Sequence, residues 1–207
     1  RDLRDRGLGS VILFDTDGPS GSKERNVQSP QQVRALTDSL RAAAGGLPPL
    51  IAVDQEGGLV TRFKERHGFP AVPGARQLGD RGDPDITETA AGALADALVA
   101  AGVNLNLAPV VDVDVWDDNP IIAGKGRSYS SDPEEVAVHA GAFIRAHRDR
   151  GILTCLKHFP GHGSSRNDSH VGFTDVTKTW SRDELIPFRR LLEHGLVDAM
   201  MTAHVFN

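Results

Sequence analysis

Along the chain, short runs of apolar, β-branched residues alternate with longer amphipathic stretches, and the two periods predict strands and helices in turn. Strands are read at residues 10–14, 50–54, 104–113, 152–158 and 198–205. Their apolar positions are successive rather than alternate, the pattern of strands covered on both faces. Each gap holds a helix with its own punctuation. Ser29-Pro30-Gln31-Gln32 supplies a cap, a first-turn proline and a third-position glutamine, and that helix runs to about Ala44 before Gly45-Gly46. Asp83-Pro84 opens an alanine-rich helix that closes at Gly102. Asp132-Pro133-Glu134-Glu135 opens a third, with Arg145, Arg148 and Arg150 near its end and Gly151 as its stop, so its charges suit the helix dipole. Ser181-Arg182-Asp183-Glu184 reads as a capping box before a helix ending at His194-Gly195.

Strands alternating with helices call for a parallel sheet with covering helices, either doubly wound or closed into a (β/α)8 barrel. No G-x-G-x-x-G follows the first strand and there is no Walker A sequence, which speaks against a nucleotide-binding sheet. The strand ends favour the barrel. Asp15, Asp54, Asp112, Lys157-His158 and His204 sit at the C-terminal ends of five successive strands, the rim where a barrel carries its active site. The expected fold class is therefore α/β, a (β/α)8 TIM barrel. Strand starts recur about every 47 residues, so eight units would need ~376 residues, and the chain holds about five of them. Residues 1–207 are expected to be a fragment of one catalytic barrel domain, cut at both ends. Residues 15–28, 64–82 and 115–131, each following a strand, read as loops of the functional rim.

Composition narrows the function classes. No run approaches the ~20 apolar residues that span a bilayer. The net charge of −5, with no basic block, excludes a dedicated nucleic-acid binder. The single cysteine, Cys155, lies in an apolar strand and reads as core, and it offers neither a disulfide nor a multi-cysteine metal site. A cytoplasmic setting is expected, although a chain that begins at Arg1 carries no information about an export signal. Nothing in the composition bears on oligomeric state.

The chemistry concentrates after the fourth strand. Lys157-His158-Phe159-Pro160-Gly161-His162-Gly163 and Asp168-Ser169-His170 put three histidines, a lysine and an aspartate within 14 residues, where two glycines and a proline forbid a helix. Asp168 and His170, two apart, can face one pocket in an extended segment. A carboxylate beside an imidazole orients the ring and raises its basicity, giving a proton-transfer group near neutral pH. His158 and His162 have the spacing of helical zinc ligands, with Asp168 and His170 as further donors, but Phe159-Pro160-Gly161 is not helical, and no metal or other cofactor is expected. A second constellation, Val53-Asp54-Gln55-Glu56-Gly57-Gly58 with Arg62, ends a strand in an acidic turn. Its carboxylate and arginine suit the hydroxyls of a sugar, with Glu56 read as a turn or cap residue. Arg127, in Gly126-Arg127-Ser128, is a third candidate.

Residues 157–163 (KHFPGHG), the Asp-Ser-His triplet at 168–170, residues 53–58 (VDQEGG) and Gly126-Arg127-Ser128 together resemble the hallmark segments of glycoside hydrolase family 3, over essentially the entire chain. The likeness is to its β-N-acetylhexosaminidase branch, which acts on N-acetylglucosamine in peptidoglycan fragments. The resemblance implies that His170 is the general acid/base and Asp168 its dyad partner. It implies that Asp54, Arg62, Arg127, Lys157 and His158 bind a small carbohydrate in the nonreducing-end subsite. It also implies retention of configuration through a glycosyl–aspartyl intermediate, with the nucleophilic aspartate expected on a strand that would follow Asn207. Asp198, at the start of a strand, is at the wrong end of the barrel for that role. Leu59 stands where the family commonly has arginine. A β-glucosidase or β-xylosidase of the same fold, and a non-catalytic sugar-binding barrel, are the competing readings.

Overall fold

The computed structural model describes every residue except Arg1, Lys23, Gly45, Ser169, His170 and Val171. After a short helix α1 (Asp2–Asp5), the chain forms β1 (Ser10–Leu13), α2 (Pro30–Ala44), β2 (Leu50–Val53), a hairpin of β3 (Gln55–Gly57) and β4 (Val60–Thr61), α3 (Ala75–Gly79) and α4 (Pro84–Ala100). It continues with β5 (Leu105–Asn106), α5 (Pro133–Arg148), β6 (Leu153–Phe159), α6 (Ile186–Glu193) and β7 (Ala199–Thr202). The main sheet has the order β1-β2-β5-β6-β7 and every pairing in it is parallel. Sequence order thus equals spatial order, the one-directional progression of a (β/α)8 barrel rather than the reversal of a doubly wound sheet. About five of the eight units are present.

The caps are those the sequence announces. Asp83 accepts from the Asp85 N–H and Asp132 from the Glu134 N–H, each at 2.9 Å. Ser29 accepts from the Gln32 N–H at 3.2 Å, while the Gln32 side chain accepts from the Gln28 N–H. Between sheet and helices, Leu13, Ile51 and Val53 pack with Leu94, Leu98 and Phe143, and Val111 and Leu156 pack with Val136, Ile144, Phe188 and Leu191. On the other face, Ala52, Leu107 and Cys155 make a smaller cluster with Leu105, Ala199 and Met201, so Cys155 is a core residue as read.

Five expectations are corrected. The strand expected at 104–113 pairs regularly only over Leu105–Asn106. Pro109 has no N–H to give a ladder, and pairing returns as a single bridge between Val110 and Lys157. The strand expected at 198–205 stops at Thr202, and His204 lies beyond it, exposed. The acidic turn at 54–58 is an antiparallel hairpin, with Gly57 and Gly58 at φ 89° and 57°, and part of the loop at 64–82 is helix α3. Finally, Ser181 accepts from the Asp183 N–H at 3.2 Å, but the Glu184 side chain does not complete a capping box; it turns inward and is fully buried.

Candidate active site

Parallel strands deliver Asp54, Asp112 and Lys157-His158 to one end of the sheet, and the β3–β4 hairpin brings Glu56 and Arg62 over it. Asp54 follows β2 directly, and its neighbour Gln55 is held by two elements at once. The Asn106 Oδ1 accepts from the Gln55 N–H at 3.1 Å and the Asn106 amide donates to the Gln55 carbonyl at 2.9 Å. The Gln55 Oε1 in turn accepts from the N–H groups of Arg62 and Phe63, each at 2.9 Å. Asn106 also donates to the Nε2 of His147, whose Nδ1–H goes to the Phe143 carbonyl. A buried line of polar side chains therefore runs from α5 through β5 to the hairpin and fixes where Asp54 and Arg62 stand.

The charged groups then form one connected cluster. Lys157 Nζ lies 2.8 Å from Asp54 and 2.6 Å from Glu56, and Arg127 grips both oxygens of Glu56 at 2.8 Å each. Arg62 reaches Asp54 at 3.6 Å and Asp15 at 3.9 Å, and Asp15 is closed off by Lys64 and Arg66. Burial alone would raise the Glu56 carboxyl, but Lys157 and Arg127 outweigh it and hold the group down at about 2. The fork of Arg127 on Glu56 is a bidentate pair, the strongest form of this contact.

On the far side, Asp112 is fully buried and accepts three hydrogen bonds, from the backbone N–H groups of His158 and His162 and from the His158 ring at 2.6 Å. Burial would raise the Asp112 carboxyl, yet His158 and these N–H bonds lower it. An ionised acceptor fixes the His158 proton on Nδ1 and leaves Nε2 facing Arg127 at 3.4 Å. Exposure separates two layers. Asp54 (18%), His158 (15%) and Arg62 (27%) offer open polar atoms, whereas Lys157 (2%) and Glu56 (7%) lie beneath them. This arrangement can hold the hydroxyls of a neutral polar ligand from several sides.

The structure thus brings together all five residues expected to bind sugar: Asp54, Arg62, Arg127, Lys157 and His158. Asp168 lies on the segment that follows, half-buried, and its carbonyl accepts from the Gly172 N–H at 3.3 Å. His170, the expected acid/base, lies outside the described residues. His158 and His162 meet edge to face with ring centroids 5.8 Å apart, and among the described residues no group of three His, Cys, Asp or Glu side chains could hold a metal ion. Asp198 sits at the opposite end of the sheet, bound to Thr154 and Arg148. Sequence reading undervalued Glu56, and it saw Asp112 as a rim residue without its hold on His158. The partners of Glu56 lie 71 and 101 residues downstream, so no local spacing announces them.

A partial (β/α)8 barrel with its charged side chains gathered at the C-terminal strand ends has the form of an enzyme of this fold. The chain belongs to glycosyl hydrolase family 3: the family's N-terminal domain matches residues 1–207. The β-hexosaminidase of Pseudomonas aeruginosa strain LESB58 is 38% identical over 207 residues, covering 98% of this chain and 57% of that protein. That of Tolumonas auensis is 39% identical, covering 98% of this chain and 58% of that protein. A family 3 β-N-acetylglucosaminidase from Paenibacillus sp. FPU-7 superposes with a TM-score of 0.87 at 37% identity, covering 99% of this chain and 37% of that one. NagZ of Neisseria gonorrhoeae in complex with N-trifluoroacetyl-D-glucosamine superposes with a TM-score of 0.80 at 37% identity, covering 98% of this chain and 58% of that one. The chain spans a little over half the length of the β-hexosaminidases it matches. No helix among the described residues is long and apolar enough to cross a membrane.

Proposed function

We propose that the protein carrying this chain is a retaining glycoside hydrolase that removes nonreducing-end N-acetylglucosamine from peptidoglycan-type or related glycosides. The observation that carries this reading is the convergence of Asp54, Arg62, Arg127, Lys157 and His158 on one strand-end pocket. The names of the relatives point the same way. Asp54 and Arg62 hold sugar hydroxyls from the β2 side, and His158 does so from the β6 side, kept in one tautomer by Asp112. His170 protonates the leaving oxygen and later takes a proton from water, with Asp168 orienting its ring, a departure from the usual pair of carboxylates. No aspartate among residues 1–207 is assigned as the nucleophile.

The test compares nitrophenyl N-acetylglucosaminide with nitrophenyl glucoside on the full-length protein. A site whose buried donors and acceptors are matched to the acetamido group rejects a sugar lacking it by up to ~10⁴-fold, because those groups are left unpaired. Comparable kcat/KM on both sugars would assign the protein to the glucosidase reading instead.

A further inference from the structure

Glu184 lies in the 3-10 turn Arg182–Leu185 that precedes α6, where a capping role would leave its carboxylate in water. It is instead fully buried. Its Oε2 accepts from the Gly163 N–H at 3.0 Å and the Ser164 N–H at 3.3 Å. Two glycines of the 157–163 motif make room for it. A Cβ at Gly161 would stand 2.6 Å from the Glu184 Cβ, and one at Gly163 would stand 3.3 Å from Oε2 while driving into the Val113 carbonyl.

Three other side chains secure the same stretch of backbone. The Trp180 indole donates to the Pro160 carbonyl at 3.1 Å, and Asp112 accepts from the His162 N–H at 2.8 Å. Asn119 donates to the carbonyls of His162 and Gly163 at 2.8 Å each, while its own carbonyl is fixed by the N–H groups of Ile121 and Ile122. Glu184 binds farthest along the chain of the four. Beyond Ser164 only Ser165, Arg166 and Asn167 intervene before Asp168.

We propose that Glu184 is a positioning residue for proton transfer: it clamps the Gly163–Ser164 backbone and so sets the direction in which the Asp168-bearing segment leaves β6. This rests on the acid/base reading of Asp168 and His170 given above. A buried carboxylate is costly, and the two N–H groups on Oε2 offset only part of that cost, since Oε1 has no hydrogen-bond partner among the described residues and burial pushes the carboxyl above its ordinary range; the same two bonds fix the backbone in place. The requirement is an oxygen with two lone pairs at that distance. A glutamine carbonyl meets it, whereas an aspartate falls one methylene short.

The test uses the full-length protein with Glu184→Ala, Glu184→Asp and Glu184→Gln. Glu184→Ala is expected to lower kcat/KM by ~10²-fold on an alkyl N-acetylglucosaminide, whose leaving oxygen needs a proton. The loss should be much smaller on the nitrophenyl glycoside, which leaves without help. Glu184→Asp is expected to move in the same direction by a smaller factor, so the comparison survives if the alanine variant fails to fold. Glu184→Gln is expected to restore the wild-type ratio between the two substrates. Amide hydrogen exchange at Gly163 and Ser164 should quicken by ~10-fold or more in the alanine and aspartate variants and stay near wild type in the glutamine variant. Equal losses on both substrates, or unchanged exchange at these two amides, would overturn the proposal. Should the wild-type protein cleave neither substrate, the glycosidase reading falls and the proton-transfer role of Glu184 with it, while the exchange measurement still decides whether Glu184 clamps the Gly163–Ser164 backbone.

Discussion

Glu56 is the buried anion on which two cations depend. With its carboxyl held at about 2 against an ordinary 4.5, the folded state binds its proton less readily than the unfolded chain. The stabilisation it gives is therefore complete above about pH 4.5 and is lost as the pH falls through about 2. The shift corresponds to about 3 kcal/mol as an order of magnitude. Urea unfolding followed from pH 5 down to pH 2 should show that loss in the wild type and a flatter profile in Glu56→Gln. Glu56→Ala should cost more at neutral pH, about 3–5 kcal/mol, because Arg127 is then left buried without its carboxylate and Lys157 keeps only Asp54. A midpoint for Glu56→Ala within error of wild type would show that water can replace the carboxylate. Glu184 teaches the same lesson about legibility. Its position three residues after Ser181 fits a cap, and only the packed chain shows Gly163 and Ser164 claiming it instead.

Elements were legible where the side chains themselves declare a period or a stop. Asp83-Pro84 and Asp132-Pro133 open α4 and α5 as expected, since a cap and a first-turn proline act within one turn of chain. The 104–113 run deceived because its residues are buried and bonded to their neighbours only irregularly; beyond Asn106 the ladder is broken at Pro109 and survives as scattered bonds and the Val110–Lys157 bridge. The hairpin deceived in the other direction, its Gln-Glu-Gly-Gly sequence carrying no strand-like residues.

What couples these elements is Asn106, which gives hydrogen bonds to Gln55 and His147 and receives one from Gln55. Asn106→Ala should destabilise the fold by about 3 kcal/mol by stranding buried partners. It should also weaken the proposed binding of N-acetylglucosamine, because Gln55 then loses its hold and Arg62 with it; calorimetry showing unchanged affinity would remove the hairpin from this chain of support. His147 at the end of the line is held down at about 4 by burial, against 6.5 unfolded, with its bond to the Phe143 carbonyl opposing and Arg150 reinforcing the shift. It is neutral in the fold, so stability should be full above about pH 6.5 and decline as the pH falls toward 4. Thermal melts of the wild type and His147→Gln across that window should diverge, the variant showing the shallower slope.

At the scale of the whole molecule, the one-directional strand order was legible from the regular spacing of strand starts and from the polar residue at each strand end. What spacing could not reveal is the wiring of the rim, since contacts such as Lys157 to Asp54 join residues 103 positions apart. The sheet of the 207-residue chain has β1 and β7 as its edges, and beside β7 the side chains of Phe159, Trp180, Phe188 and Met200 line an apolar groove of about 650 Å³. Unpaired edges beside exposed apolar surface promote association. The 207 residues on their own are expected to self-associate with rising concentration, which light scattering after size exclusion would register; a strictly monomeric profile to high concentration would count against it.

The balance of signs in the pocket has a further consequence. Asp15, Asp54, Glu56 and Asp112 stand against Arg62, Lys64, Arg66, Lys157 and Arg127, nearly equal numbers of anions and cations, and each is ion-paired except Asp112, which is held by His158 and backbone N–H groups. Seen from beyond a Debye length of ~10 Å, such a set projects almost no field. A neutral sugar approaching it is neither drawn in nor held off by long-range attraction, and capture depends on short hydrogen bonds formed after arrival. If N-acetylglucosamine is the ligand, as proposed, its affinity and rate of association should therefore stay nearly constant as salt is raised.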